Sequence, residues 1–299
     1  MSEKRSQRTD SQLLSTKQLA QAIGVSESSV KRWADDGALA AVRTVGGHRR
    51  IPLAEAIRFV RDTRATVVRP AALGLAASPI AHDGADPLAD GLARGAAPDV
   101  RAILHGLYMR GRSVAAIIDG PLRSAMERIG ERWRQEADGI LVEHRATDLC
   151  IQWLHQLRAL LVVDEEAPVA VGGAAPGDPY VLPSLAVATA LEAEGLRAVN
   201  LGPDTPLDTL VLASRQEGAA IVWVSASTDA ARDRLAGGLA SLVAATRDMG
   251  ARLIVGGRAL QARPLDTPAD VQVAGTVAEA AAFARGLRAA PRPHAERST

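Results

Sequence analysis

Between residues 167 and 290, short apolar runs rich in Val and Ile alternate with helical stretches. The runs are Pro168–Gly172, Arg197–Leu201, Ala220–Ser225, Arg252–Val255 and Val271–Ala274. This pattern narrows the choice of fold more than any other feature of the chain. A short apolar run bounded by turn residues is a buried strand. Strands separated by helices return parallel, with helices on both faces. The stretch therefore predicts a five-stranded parallel α/β domain over residues 165–290. A ligand on such a sheet sits outside the C-terminal strand ends. Those ends carry Gly172-Gly173, Gly202-Pro203-Asp204-Thr205, Ser225-Ala226-Ser227-Thr228 and Gly256-Gly257. The first strand is followed by Gly172-Gly173-Ala174-Ala175-Pro176-Gly177, not by G-x-G-x-x-G, and there is no P-loop. Both absences speak against nucleotide binding of the common kinds.

The chain has 299 residues, enough for two domains or three small ones. Four helical patterns precede the α/β stretch, at about 87–95, 98–110, 113–136 and 140–162. In the third, Ile118, Leu122, Ala125, Ile129 and Trp133 fall on one face. In the fourth, Glu143, Thr147, Cys150, Leu154, Leu157 and Leu161 do the same. These stripes predict a four-helix bundle over residues 86–164. A carboxylate, Glu143, heads the second stripe, with His144 beside it and Trp133 ending the facing stripe. Those three side chains are expected to meet at one end of the bundle. The plainer alternative is a Trp plug with Glu143 and His144 exposed at a helix start, where acid is favourable anyway.

Charge singles out the N-terminal end. Residues 1–66 hold 12 Lys and Arg against 7 Asp and Glu, whereas the rest holds 23 against 27. A basic head on a mildly acidic body points to a polyanion that meets only the head. Ser15 or Thr16 can cap a first helix with Leu19, Ala20 and Ile23 on its apolar face. Gly24-Val25-Ser26 makes a turn into a second helix, in which Val30 and Trp33 face inward and Ser28, Ser29, Lys31 and Arg32 outward. Thr44 to Ile51 then reads as a short hairpin with a Gly46-Gly47 tip and His48, Arg49 and Arg50 along it. A helix-turn-helix with a cationic wing is built for double-stranded DNA. Ser28, Ser29, Lys31, Arg32, Arg43, His48, Arg49 and Arg50 are the expected contacts, mostly to phosphate. Residues 67–85 are rich in Ala, Gly and Pro and read as a flexible linker, and 291–299 as a tail.

Composition removes other classes. Aromatic residues make up 3% of the chain, too few for a surface built on ring stacking. One cysteine, Cys150, allows neither a disulfide framework nor a Cys-based zinc site. The polar start, Met1 to Asp10, is no secretory signal, and no apolar run is long enough to span a bilayer. A cytoplasmic protein without membrane partners is expected. Neither the histidines nor Ser225 form a catalytic constellation, so no enzyme is expected.

With these parts in order, residues 12–64 resemble the winged helix-turn-helix of the MerR family. Residues 12–288 as a whole resemble the CarH and LitR group of cobalamin-dependent, light-responsive repressors. The resemblance rests on Trp133-x9-Glu143-His144, on Asn200-Leu201-Gly202-Pro203-Asp204-Thr205-Pro206 and on Gly256-Gly257. It implies a flavodoxin-like α/β domain and a bundle that caps the upper face of the corrin with Trp133, Glu143 and His144. It also implies that the α/β domain receives the lower face and the nucleotide tail, the tail flanked by Ser225, Ser227, Gly256 and Gly257.

The chain departs from that group at one motif. The group places Asp-x-His-x-x-Gly after the first strand, and its His ligates cobalt. Here Asp178 matches, but Tyr180 stands at the His position and Pro183 at the Gly position. A phenol is a poor neutral donor compared with imidazole. Three expectations follow: cobalamin without a lower protein ligand, a different tetrapyrrole, or no ligand at all. Haem iron accepts His or Tyr, so His144 or Tyr180 would be its ligand, and a bilin such as biliverdin needs none. A corrinoid carrier of the methyltransferase type is the alternative, although such carriers lack a DNA-binding head. A single basic head on a flexible linker is too small for tight binding alone, so a homo-oligomer, dimer or tetramer, is expected, whose assembly sets how many heads engage an operator.

Overall fold

A computed structural model describes residues 12–74, 86–133 and 138–289. The chain divides into two compact units, residues 1–162 and 163–299.

The first unit opens with a winged helix-turn-helix. Strand β1 (Leu13–Ser15) leads into α1 (Thr16–Ile23), and α2 (Glu27–Asp35) follows after a Gly24 turn at φ +70°. Ser15 caps α1 in a reciprocal box: its Oγ accepts from the Gln18 N–H at 3.2 Å, and the Gln18 side chain accepts from the Ser15 N–H at 2.8 Å. Ser26 caps α2 through the Ser29 N–H. Strands β2 (Val42–Arg43) and β3 (Arg49–Pro52) form the wing, and α3 (Leu53–Thr63) closes the head. Within the loop the Gly47 N–H bonds the Thr44 carbonyl, and Gly47 takes φ +76°, as glycine does at a hairpin bulge. The sheet order is β1-β3-β2, so β1 adds a third strand that the sequence pattern does not announce. Leu14, Leu19, Val30, Leu39, Ile51 and Val60 fill the core.

The segment expected to be a linker begins differently. The Val68 and Arg69 N–H groups both bond the Ala22 carbonyl, at 2.8 and 3.1 Å. Pro70–Leu73 forms a helical turn against α1, and Leu73 is fully buried in the head core. Apolar Val67, Ala72 and Leu73 override the Ala/Pro composition because they complete that core. Residues 75–85 and 291–299 lie outside the described residues.

The bundle comprises α4 (Pro87–Arg94), α5 (Ala97–Met109), α6 (Val114–Ile117), α7 (Arg123–Trp133) and α8 (Gly139–Arg158). A π turn, Ile118–Leu122, joins α6 to α7 around Pro121. The wider turn accommodates a proline that supplies no N–H and would clash in a regular α-helix. Cys150, Leu154 and Leu157 are buried as their stripe predicts, and Trp153, which lies off that stripe, is fully buried as well. Head and bundle touch within this unit. Arg61 of α3 donates to the carbonyls of Tyr108 and Arg112, and its guanidinium covers the Tyr108 ring.

The second unit is a parallel sheet of β4 (Val169–Ala174), β5 (Arg197–Asn200), β6 (Ile221–Ser225), β7 (Arg252–Gly256) and β8 (Gln272–Ala274). Its order, β5-β4-β6-β7-β8, is the flavodoxin-like 2-1-3-4-5 arrangement. Side chains alternate across it. Val171, Val222, Val224 and Val255 pack with α10 (Leu207–Glu217) and α11 (Asp229–Asp248). Ala170, Ile221, Trp223 and Ile254 pack with α9 (Leu182–Ala193) and α13 (Val277–Ala289) on the other face. Gly172 is obligatory here: a Cβ would lie 2.0 Å from the Trp223 ring that crosses it.

Candidate functional site

The strand order places the topological switch between β4 and β6, where chain connections run to opposite sides and leave a crevice. Asp178 organises this edge. Its buried carboxylate accepts from the Tyr180 N–H at 3.1 Å and from the Ser227 N–H at 2.6 Å, tying the loop after β4 to the loop after β6. The Asp178 carbonyl accepts from the Asp204 N–H, and the Asp204 carboxylate from the Gly177 N–H. The short α12 (Arg258–Ala262) starts at the end of β7, and Arg258 donates through Nε and Nη2 to the Ser227 carbonyl at 3.4 and 3.2 Å.

Sequence-expected residues therefore meet at this edge: Asp178, Tyr180, Ser225, Ser227, Gly256 and Gly257. Ser225 pairs in register with Gly256. The two glycines serve close backbone approach. A Cβ on Gly257, which takes φ +111°, would lie 2.3 Å from the Ala226 carbonyl oxygen, and one on Gly256 2.5 Å from that of Ala274. Tyr180 is 44% exposed, with its ring 6.0 Å from the Arg258 guanidinium. Arg258 directly follows Gly256-Gly257, and that adjacency is its only sequence signal. Arg234, which no sequence motif marks, lies against Gly177.

Two hydroxyls here are unexplained by the fold. Ser225 is 4% exposed and Ser227 8%, and neither Oγ has a hydrogen-bond partner among the described residues. A buried, unsatisfied hydroxyl costs about 1–3 kcal/mol, so a pair at one strand end fits an edge that receives a polar ligand. Cobalt ligation from this unit does not fit equally well. No His or Cys occurs between residues 163 and 289, and no cluster of three potential metal ligands exists among the described residues.

On the bundle, Glu143 and His144 sit in the first turns of α8. Glu143 is half-buried and accepts from the Thr147 hydroxyl at 3.1 Å, so it continues the seam only as a polar cap on it. The His144 side chain is 76% exposed, 3.7 Å from the Glu143 carboxylate. Trp133 ends α7, and its side chain lies outside the described residues, as does its meeting with Glu143 and His144.

In the head, Ser28 and Ser29 share their hydroxyls with the cap Ser26, at 2.8 and 2.9 Å. Lys31 is paired with Glu27 at 3.0 Å, and Arg49 and Arg43 both reach Asp35. Arg32, His48 and Arg50 make no ion pair among the described residues. Trp33 packs on Phe59, ring centroids 5.0 Å apart, as a core residue. No helix among the described residues is long and apolar enough to cross a membrane.

Comparison with known proteins follows the same division. Residues 13–63 match the family model of a helix-turn-helix domain, and residues 85–158 that of a B12 binding domain. No curated protein matches the chain. Among solved structures, it is similar to a monomethylamine corrinoid protein of Methanosarcina barkeri. Identity is 19% over 67% of this chain and 96% of that one, with a TM-score of 0.49. It is also similar to a novel cobalamin-binding protein from Desulfitobacterium hafniense, at 17% identity over 67% and 97% and a TM-score of 0.35. The methanol:cobalamin methyltransferase complex of M. barkeri gives 16% identity over 77% and 92%, with a TM-score of 0.36. The chain thus joins a helix-turn-helix domain to a B12 binding domain, followed by an α/β unit of flavodoxin-like strand order.

Proposed function

We propose that the protein is a DNA-binding transcriptional regulator whose sensory part binds a cobalamin, and that it is not an enzyme. The observation that carries the reading is the pair of buried, unpartnered hydroxyls of Ser225 and Ser227 at the sheet edge, in a chain whose head is a helix-turn-helix. In this reading Ser225 and Ser227 bind polar groups of the nucleotide tail, Gly256 and Gly257 keep that edge low, and Asp178 holds the loop of Tyr180 in place. Trp133, Glu143 and His144 serve the upper face. Cobalamin, when bound, supplies the light- or ligand-sensitive cobalt–carbon bond. The regulator acts as a repressor in the cytoplasm. Ligand state sets its dimer or tetramer assembly, and assembly sets operator affinity through the number of linked heads. Arg32, His48 and Arg50, with Ser28, Ser29 and Lys31, bind double-stranded DNA.

A second reading has one observation in its favour. With Tyr180 in place of His and no imidazole between residues 163 and 289, a haem held by Tyr180 or by His144 of the bundle, or a metal-free biliverdin, suits the chain's donors as well. Absorption spectra after incubation with adenosylcobalamin, haem and biliverdin, in turn and followed by gel filtration, separate the readings. A cobalamin band that co-elutes with protein supports the first, a shifted haem or bilin band the second, and neither leaves a regulator without a tetrapyrrole. Size-exclusion profiles in dark and light test the assembly step.

A further inference from the structure

The wing carries more cations than it presents. Arg43 and Arg49 are cross-strand partners on β2 and β3, flanking the loop 44–48. Two like charges directly opposite one another destabilise a ribbon. Asp35, the last residue of α2, resolves this. Its Oδ1 accepts from Arg49 Nε at 3.1 Å and Nη2 at 2.6 Å, its Oδ2 from Nη2 at 2.8 Å, and its Oδ1 again from Arg43 Nη2 at 3.5 Å. A planar guanidinium bound through two nitrogens is fixed in direction as well as place. The Arg49 side chain is accordingly mostly covered. The next residue, Arg50, points to the other face of the three-stranded sheet, in register with Val42 and Ser15. It makes no ion pair among the described residues.

We infer that Asp35 is a positioning residue for DNA binding. It fastens the wing to the end of the second helix through Arg49 and Arg43, which act as struts, while Arg50, His48 and Arg32 meet phosphate. The inference rests on the DNA-binding reading. Helix and wing must reach the duplex together, and the carboxylate joins the end of one to both strands of the other. An acid at a DNA-facing surface ordinarily weakens binding by repelling phosphate. Here its removal weakens binding instead, because the wing loses its angle.

The test uses the full chain, a labelled duplex from upstream of its own reading frame, and a random-sequence duplex. Anisotropy titrations run from about 50 to 200 mM NaCl, the range in which phosphate contacts show in the salt slope. Asp35→Asn and Arg49→Lys should each lower affinity for the upstream duplex by about tenfold, as expected for loss of a charged, bidentate bond, with the salt slope unchanged. Arg50→Gln should reduce the slope by about one on both duplexes. Asp35→Glu, which keeps the charge, should retain most of the wild-type affinity, and circular dichroism melts should remain cooperative throughout. Tighter binding by Asp35→Asn with a steeper slope would show that Arg43 and Arg49 are phosphate contacts held back by Asp35, and would overturn the inference. So would an Asp35→Asn affinity equal to wild type. If the wild-type chain binds neither duplex at low salt, the DNA-binding reading itself falls.

Discussion

The Arg61 guanidinium lies 3.7 Å from the centroid of the Tyr108 ring, joining the last helix of the head to the second helix of the bundle. It also donates to the Tyr108 carbonyl, so one side chain supplies both a cation–π contact and a hydrogen bond between two sequence-distant elements. Arg61→Ala should destabilise the first unit by about 1–2 kcal/mol, and Arg61→Lys by less. Urea unfolding followed by circular dichroism measures this. A midpoint unmoved by Arg61→Ala would mean that the contact contributes nothing.

Gly172→Ala places a methyl group where the Trp223 indole already is. Overpacking of this kind costs about 1–3 kcal/mol. The double variant Gly172→Ala with Trp223→Leu should recover part of the loss, because the obstruction is one ring. A thermal melt in which the second substitution makes matters additively worse would refute this account.

Ser225→Ala and Ser227→Ala should separate stability from binding. Each removes a buried hydroxyl that has no partner among the described residues, so the ligand-free protein should keep its stability or gain up to about 1 kcal/mol. Cobalamin affinity, read by equilibrium dialysis, should fall by about tenfold for each, as for loss of a single good hydrogen bond. A loss of stability in both variants without any change in affinity would make the hydroxyls structural.

Burial pushes the His105 imidazole on α5 down to about 4, with Arg101 acting in the same direction. In the unfolded chain the same group titrates near 6.5. Between those values the unfolded chain takes up a proton that the folded one does not. His105 therefore costs nothing above about pH 6.5, and stability falls as pH drops toward about 4. Relative to His105→Leu, the wild type should lose roughly 2 kcal/mol between about pH 7 and 4.5. Urea midpoints at several pH values provide the test, and parallel curves for the two proteins would contradict it.

Sequence periodicity reads some of these features well and others not at all. The five parallel strands and four helical stretches were legible because a period of two or of 3.6 is written residue by residue. The cap of α1 was legible only as Ser15 or Thr16, and that of α2 only as a turn that ends at Ser26. Strand β1 was not, since three residues are too few to show a period and its partner lies nearly forty positions away. The roles of Arg43 and Arg49 were hidden for a related reason. A cation in a wing reads as a phosphate contact until the position of Asp35 is known. At the sheet edge, Ser225 and Ser227 stood out by their place after a strand, and Asp178 only through the resemblance to the cobalamin-dependent group. Arg258, one residue past Gly256-Gly257, carried no signal of its own beyond that adjacency.

The turn Pro70–Leu73 has a practical corollary for dissecting the molecule. Cut at residue 66, the head would lose Leu73 from its interior and the two amides that bond the Ala22 carbonyl. Such a fragment would carry an open hole beside α1 and would melt early or aggregate. An isolated DNA-binding fragment that behaves like the parent must extend through residue 74. Any autonomy assigned to the shorter piece would reflect a damaged core and not the native module.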